Sequence, residues 1–235
     1  MNKRIFHLLL LILFAVFLMG IKYGKEYIGA DDFHDSGFFN SYVNFAAVDG
    51  FKYALFQSEI PLGRYKKCIV FDFPNKSSSG VGDLITGSRK VYTQTKMVDT
   101  PAGKIKEPVD RDGYPSVPDA LRARLLGIYP NIKREHQAKK GVALSELKKK
   151  GFDLAIVGQI SYIEAPETIS GESFKETILQ GVRTPWKVLI EIKFIDVKTS
   201  KVVLGMAHWT SDKDFIHAVR ENMDDVTKFI LRHRQ

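Results

Sequence analysis

The chain has 235 residues, of which 44% are apolar, and a net charge of +8 at pH 7. This length and composition suffice for one substantial hydrophobic core. The single cysteine, Cys68, excludes an intrachain disulfide and a cysteine-rich zinc site. The moderate basic excess favours acidic partners or anionic polymers, and it does not identify a nucleic-acid-binding protein.

Residues 1–30 predict a segment that inserts into a membrane. An apolar run follows the basic residues Lys3 and Arg4, beginning at Ile5 and ending at Ile21. As a helix, such a run is about 26 Å long, at the short end for a membrane span. We expect an uncleaved, single-pass anchor in the inner membrane with the body in the periplasm, because the basic residues precede the run. The alternative is a cleaved signal peptide, which would leave a soluble periplasmic protein.

Residues 31–65 are rich in aromatic side chains and predict a lead-in segment that packs on the following domain. Residues 66–235 predict a single α/β domain. Its first core strand contains Cys68 and stops at Pro74.

A long polar insertion follows at residues 75–116. Within it, residues 90–98 predict a strand that returns at 104–109. Connections of this length inside a compact domain are usually functional or disordered. We therefore expect the insertion to form the main recognition surface and to add little to stability. The candidate partner-binding residues in it are Lys90, Tyr92, Lys96 and Arg111.

Residues 119–150 concentrate the basic charge of the chain. Pro118 begins a predicted helix, and nine basic residues against three acidic ones follow up to residue 150. This excess is typical of a solvated helical face; the alternative is a patch that binds an anionic polymer or a membrane surface. The candidate patch residues are Arg122, Arg124, Lys148, Lys149 and Lys150.

Residues 151–160 predict the central strand, because residues 154–157 contain no polar side chain and both faces must be covered. A short helix that ends at Gly151 precedes it. Residues 186–194 and 202–209 predict an antiparallel hairpin.

A capping box from Ser211 to Asp214 predicts the start of the last helix. The helix has one apolar stripe, which we expect to cover the sheet. The stripe consists of Phe215, Val219, Met223, Val226 and Ile230. Together these elements predict an α/β (α+β) fold in which helices pack on one mixed sheet.

Two short motifs resemble those of a known family. Gly-Phe-Asp followed by apolar residues and glycine, at residues 151–158, is similar to a family strand that has Ala at position 152. The turn with Asp196 and Thr199 before Val202 is similar to a family hairpin that has glycine where this chain has Ser200.

The family comprises bacterial envelope proteins with an anticodon-binding-like α/β domain. It includes the curli secretion channel subunit, the lipoprotein activator of penicillin-binding proteins and the amino-terminal domain of the Tol-Pal propeller protein. The resemblance extends over residues 66–209 and implies an anticodon-binding-like fold and an envelope role. The motifs are structural, so they bear on fold rather than on chemistry.

No group of residues predicts an enzyme. No two of the six histidines are spaced i, i+4, and phosphate-loop, nucleophile-elbow and dinucleotide motifs are absent. We expect no catalytic residue, no cofactor and no metal; a hydrolase with dispersed catalytic residues is a third hypothesis.

The first hypothesis is a non-enzymatic, membrane-tethered accessory protein of the cell envelope. It would dock through a protein partner onto an assembly, secretion or cell-wall synthesis machine. The alternative is a binding module for an anionic polymer or membrane surface that uses residues 119–150. Either function is compatible with an oligomer, and neither involves nucleic acid.

Overall fold

The computed structural model describes residues 61–88, 91–136, 142–166 and 185–232, and the backbone of three strands nearer the N terminus. In chain order the strands are β1 (Tyr27–Ile28), β2 (Phe45–Val48), β3 (Phe51–Gln57), β4 (Cys68–Val70), β5 (Gln94–Thr100), β6 (Gly103–Val109), β7 (Lys133–Arg134), β8 (Val142–Ala143), β9 (Leu154–Glu164), β10 (Trp186–Asp196) and β11 (Lys201–Asp212).

Seven of these strands form one mixed sheet in the order β2-β3-β11-β10-β9-β4-β7. Strand β4 pairs in parallel with β9 and β7, and the other neighbours are antiparallel. The described chain is therefore a mixed α+β fold. Two separate ribbons lie outside this sheet, one formed by β1 with β8 and the other by β5 with β6.

The helices lie on both faces of the sheet. They are α1 (Val117–Leu125), α2 (Leu144–Lys149) and α3 (Phe215–Arg232). Side chains of α1 and α3 form one hydrophobic cluster with Leu154, Ile156 and Ile160 of β9. Side chains of α2 join Ala155 and Val157 of the same strand in a second cluster. Because successive side chains of a strand point to opposite faces, α2 lies on the opposite face from α1 and α3.

Strand β9 is central, as its apolar sequence predicts. It lies between β10 and β4, and its first seven residues are buried. Gly151 ends the preceding helix with φ +73°, a conformation that favours glycine. Gly158 lies under the ring of Phe73, and a Cβ at this position would come 2.3 Å from a ring carbon. Both glycines of the motif are thus required by local geometry.

The predicted hairpin is also confirmed, with β10 and β11 paired from Trp186 to Asp196. Asp196 holds the turn, since its Oδ1 accepts a hydrogen bond from the Thr199 amide at 2.9 Å. Ser200 adopts φ +59° at the position where the family motif has glycine.

The last helix begins slightly later than its sequence predicts. Strand β11 continues to Asp212, so Ser211 is not the cap. Instead Asp214 caps α3, because its Oδ1 accepts a hydrogen bond from the His217 amide at 2.8 Å.

The insertion at 75–116 is only partly a surface loop. It contains a 3-10 helix, Gly80–Leu84, and Ile85 and Val109 at its two ends are buried. Both ends of the insertion therefore contribute buried apolar side chains to the core, and its expected small contribution to stability stays a prediction. Only its middle, the β5–β6 ribbon, is largely exposed.

The structure describes only part of the N-terminal region for which the sequence makes predictions. The aromatic lead-in supplies β2 and β3 to the main sheet, and Leu62 and Tyr65 at its end are buried. The predicted anchor at residues 5–21 lies outside the described residues. Among the residues that are described, no helix combines the length and the apolar character needed to cross a bilayer.

Candidate functional site

The β5–β6 ribbon projects from the domain. Its two strands pair in antiparallel register, with Met97 opposite Lys106. Four successive side chains from Gln94 to Met97 are exposed, and Met97 keeps 57% of its accessible surface. Within the described ranges no third strand extends the ribbon, so the outer edge of β5 is unpaired, whereas the end of β6 forms a bridge from Val109 to Pro115. Such edges can pair with a strand of another chain.

The tip of the ribbon is a tight turn. Gly103 has φ +102°, which an L side chain rarely adopts, and Thr100 Oγ1 donates a hydrogen bond to the Gly103 carbonyl at 2.6 Å. These contacts fix the register of β5 on β6 at the end farthest from the core.

A buried charge network fixes the base of the ribbon. Glu107 of β6 and Arg124 of α1 are both fully buried and lie 2.9 Å apart. The second oxygen of Glu107 accepts a hydrogen bond from Arg220 of α3 at 2.6 Å. Arg124 also pairs with Asp224 of α3 at 2.6 Å. The network joins the ribbon to both helices on this face of the sheet.

Further hydrogen bonds hold the two ends of the ribbon. The Tyr92 hydroxyl donates to the Leu84 carbonyl at 2.5 Å, just before β5. After β6, Asp110 Oδ1 accepts hydrogen bonds from the amides of Asp112 and Tyr114 at 3.0 and 2.9 Å. The ribbon is thus anchored to the domain at both ends while its middle stays open to solvent.

A groove of about 340 Å³ separates the ribbon from α1. Lys104 and Lys106 lie on its ribbon side, and Arg124 and Leu126 lie on its helix side. Both lysines are exposed, and Lys104 lies 3.9 Å from the exposed Asp99, whereas Arg124 is buried and paired with Glu107 and Asp224. The solvent-accessible cations of the groove are therefore the two lysines, next to the partly exposed apolar surface of Leu126.

The four predicted loop residues have different environments. Lys96 and Arg111 are exposed, Lys96 on β5 and Arg111 just beyond β6. Tyr92 is half-buried and binds the backbone. Lys90 lies outside the described residues. Lys96 and Arg111 are therefore the two whose side chains are exposed to solvent, and a role for them in partner binding stays a prediction.

The structure does not bring the predicted basic patch together. Arg124 is buried, and Arg122 Nε donates a hydrogen bond to the Ile132 carbonyl at 3.3 Å. Lys148, Lys149 and Lys150 are exposed at the end of α2, on the opposite face of the sheet from α1. The basic excess of residues 119–150 is thus divided between two faces.

Two sets of residues were not identified from the sequence. Glu107 has partners 17 and 113 residues away, so no local pattern reveals its network. His217 and Glu221 are spaced i, i+4 on α3, a pattern that a search for histidine pairs does not detect.

No family model matches the chain, and no curated protein matches it. Solved structures of bacterial proteins resemble it weakly. The PelC dodecamer from Paraburkholderia phytofirmans is 14% identical, with 79% of this chain and 99% of that chain covered and a TM-score of 0.47. A protein of family DUF330 from Xanthomonas campestris is 10% identical, with 74% and 87% covered and a TM-score of 0.34.

These comparisons overturn the resemblance to envelope proteins with an anticodon-binding-like domain. The structural neighbours are PelC and the DUF330 protein, and the similarity even to these is weak. The motifs at Gly151, Gly158 and Asp196 serve a helix end, a close ring contact and a turn, which many mixed sheets require. The comparisons do not support the predicted membrane tether or periplasmic location.

Proposed function

We propose that this protein is a non-enzymatic accessory protein of the cell envelope that docks onto a protein partner through the β5–β6 ribbon. In this proposal the segment at residues 5–21 tethers the chain to the inner membrane and the body lies in the periplasm. The observation that carries it is an exposed ribbon whose base is fixed by the fully buried pair of Glu107 and Arg124.

The ribbon is exposed at its tip and fixed to the domain at its base. A two-stranded hairpin alone is marginally stable in water, so its order must come from the domain. The network at Glu107 joins it to α1 and α3. A rigid ribbon loses little conformational entropy on binding, and the outer edge of β5 offers unpaired backbone groups. The exposed Met97 adds an adaptable apolar contact.

The decisive experiment is site-specific photo-crosslinking in intact cells. A crosslinking amino acid at position 97 should give a discrete adduct with one envelope protein. A shortened ribbon, in which an Asn-Gly turn replaces residues 98–105, retains Glu107 and so the buried network. The partner should no longer be captured when the crosslinker sits in this variant.

The matched control places the crosslinker at Lys149, which is exposed at the end of α2 on the opposite face. This position should give no adduct with the same partner. Equal capture at positions 97 and 149 would contradict docking through the ribbon. An adduct of twice the mass of the chain would instead indicate contact between copies; the similar PelC structures are dodecamers.

The membrane tether has its own test. A reporter enzyme that is active only outside the cytoplasm, fused after Gln235, should be active, and the fusion should remain with the membrane fraction after a salt wash. Activity only from a cytoplasmic reporter would exclude the proposed envelope function. Release into the soluble periplasmic fraction would favour the cleaved signal peptide.

A second candidate function is binding of an anionic polymer, and the groove between the ribbon and α1 favours it. Lys104 and Lys106 of the same strand line this groove, so its ribbon side carries two exposed basic residues. This location replaces the basic patch that residues 119–150 do not form. Binding would be mainly electrostatic and therefore sensitive to salt.

Lys104→Glu with Lys106→Glu should abolish retention on an anionic polysaccharide or polyphosphate column. Lys148→Glu with Lys149→Glu makes the same change of charge on the opposite face and should retain most of the binding. Binding of the wild type should weaken steeply as the salt concentration rises. An effect of similar size in both variants, or a flat salt response, would reject the groove as the site.

A further inference from the structure

Three metal-ligating side chains converge where β11 meets α3. Asp212 is the last residue of β11, and His217 and Glu221 lie one turn apart on α3. One ligand atom from each lies within 4.8 Å of the others. Elsewhere in the described ranges no other three residues of the types His, Cys, Asp and Glu come so close.

Backbone contacts hold two of these side chains in place. Asp212 Oδ1 accepts a hydrogen bond from the Asp214 amide at 2.8 Å, which leaves Oδ2 directed at His217 Nδ1, 2.7 Å away. His217 is itself fixed at the start of the helix, because its amide donates to Asp214 Oδ1. Backbone and outer contacts of this kind orient ligands in metal sites.

Negative charge exceeds positive charge around this cluster. One turn beyond Glu221, Asp225 has a side chain that is only 10% exposed, and its Oδ2 accepts no hydrogen bond among the described residues. This Oδ2 lies 3.5 Å from the buried His208, while Lys228 pairs with Oδ1 at 2.8 Å. A bound cation would offset this excess of carboxylates.

We infer that Asp212, His217 and Glu221 form a site for a divalent transition-metal cation such as Zn²⁺ or Co²⁺. One imidazole nitrogen and two carboxylate oxygens are a donor set that these ions accept, whereas Mg²⁺ and Ca²⁺ prefer oxygen alone. Metal–ligand bonds of about 2.0–2.2 Å require only small side-chain rotations from the present separations. Three protein ligands leave a coordination position open for water or for a group from another molecule.

Binding has a defined proton balance. His217 Nδ1 and Asp212 Oδ2 now share a hydrogen bond. The metal would take the place of that proton: from the imidazolium the Nδ1 proton passes to solvent, and from the neutral ring the proton moves from Nδ1 to Nε2 by way of solvent, so Nδ1 binds the ion with the ring neutral in both cases. The metal would then connect the end of β11 to the first two turns of α3, which the hydrogen bond between Asp212 and His217 already links at one point.

The test is titration of the untagged full-length protein with Co²⁺, followed by visible absorption and calorimetry. We expect one equivalent to bind with absorption bands typical of nitrogen and oxygen ligands. His217→Ala and the isosteric Glu221→Gln should each weaken Co²⁺ binding by at least about tenfold. Thermal unfolding of each variant without metal verifies that it is folded. If His217→Ala does not fold, Glu221→Gln still tests the site.

His136→Ala is the matched control. His136 is also exposed and its Nδ1 lies 3.2 Å from a carboxylate oxygen of Asp72, but no third ligand completes that pair among the described residues. This variant should bind Co²⁺ as the wild type does. The inference fails if the wild type shows no saturable binding, if both site variants retain wild-type affinity, or if only His136→Ala loses it.

Discussion

Glu107 and Arg124 form an ion pair at 2.9 Å in which both side chains are fully buried, although one belongs to the exposed ribbon and the other to α1. The pair places two fully buried charges directly below the exposed ribbon. Burying two charges is costly unless each is well paired; here Arg220 and Asp224 supply further partners, while Arg124 Nη2 has no hydrogen-bond partner among the described residues. The network therefore contributes more to the orientation of the ribbon on the domain than to the net free energy of unfolding.

Removing one member of this network should be severe. Glu107→Gln leaves the Arg124 guanidinium buried with Asp224 as its remaining charge partner, so we expect the free energy of unfolding to fall by roughly 3–5 kcal/mol. Urea denaturation followed by circular dichroism measures this change. Amide hydrogen exchange in the ribbon should also accelerate, because its base is no longer fixed.

Asp99→Asn is the control on the same ribbon. Asp99 and Lys104 lie 3.9 Å apart, with 84% and 75% of their side chains exposed. Water screens such a pair, so its loss should leave the urea midpoint nearly unchanged. If Glu107→Gln proved as mild as Asp99→Asn, the buried pair would not be what orders the ribbon.

Patterns within a few residues predicted much of the fold. The apolar run of β9, the alternation of β10 and the apolar stripe of α3 each report burial directly; β9 and β10 lie close to where they are predicted, and α3 begins slightly later. The ribbon strands are found close to the ranges that sequence predicts. These elements could be predicted because each sequence pattern lies in the same stretch of chain as the strand or helix that it predicts.

The candidate site depends on contacts that no single stretch contains. The pairing of Glu107 with Arg220 spans 113 residues. Arg124 looks like a surface charge in the sequence, yet tertiary packing buries it completely. The separation of Arg122 from Lys149 follows from α1 and α2 packing on opposite faces, which local charge density does not indicate. Long-range packing therefore decides which charges are available for binding.

Gly158→Ala should destabilise the central strand. The added Cβ would lie 2.3 Å from a carbon of the Phe73 ring, so either the ring or β9 must move. We expect a loss of about 1–3 kcal/mol in the free energy of unfolding. Gly127→Ala is the control, because nothing lies within 4 Å of its added Cβ. Equal effects in the two variants would indicate that Phe73 yields without cost.

Ser200→Gly should stabilise the β10–β11 hairpin. Ser200 has φ +59°, and a left-handed conformation costs an L-residue about 1–2 kcal/mol. Glycine avoids this cost but gains entropy in the unfolded chain, so we expect a net gain of about 0.5–1 kcal/mol by thermal unfolding. Lys198→Gly lies in the same turn without a positive φ and should destabilise instead. A loss of stability in both variants would contradict strain at Ser200.

Stability should also fall in mild acid because of His208. Burial lowers the pKa of this side chain below its ordinary 6.5; Lys228 adds to the effect, whereas Asp225 and Asn222 oppose it. Below pH 6.5 the unfolded chain therefore takes up a proton that the folded protein resists. The stabilisation is complete above pH 6.5 and is lost as the pH falls through the lowered pKa. For each pH unit by which the pKa is lower in the folded state, the free energy of unfolding falls by about 1.4 kcal/mol once the pH is below both pKa values.

Urea denaturation at pH 7.5 and pH 5, with a chelator present, tests this prediction. The loss of free energy between the two pH values should be smaller in His208→Gln than in the wild type, because glutamine does not titrate. It should be larger in Asp225→Asn, because removing the carboxylate 3.5 Å from the imidazole removes the main contribution that opposes the lowered pKa. A wild-type pH dependence in His208→Gln would place the acid-sensitive group elsewhere in the chain.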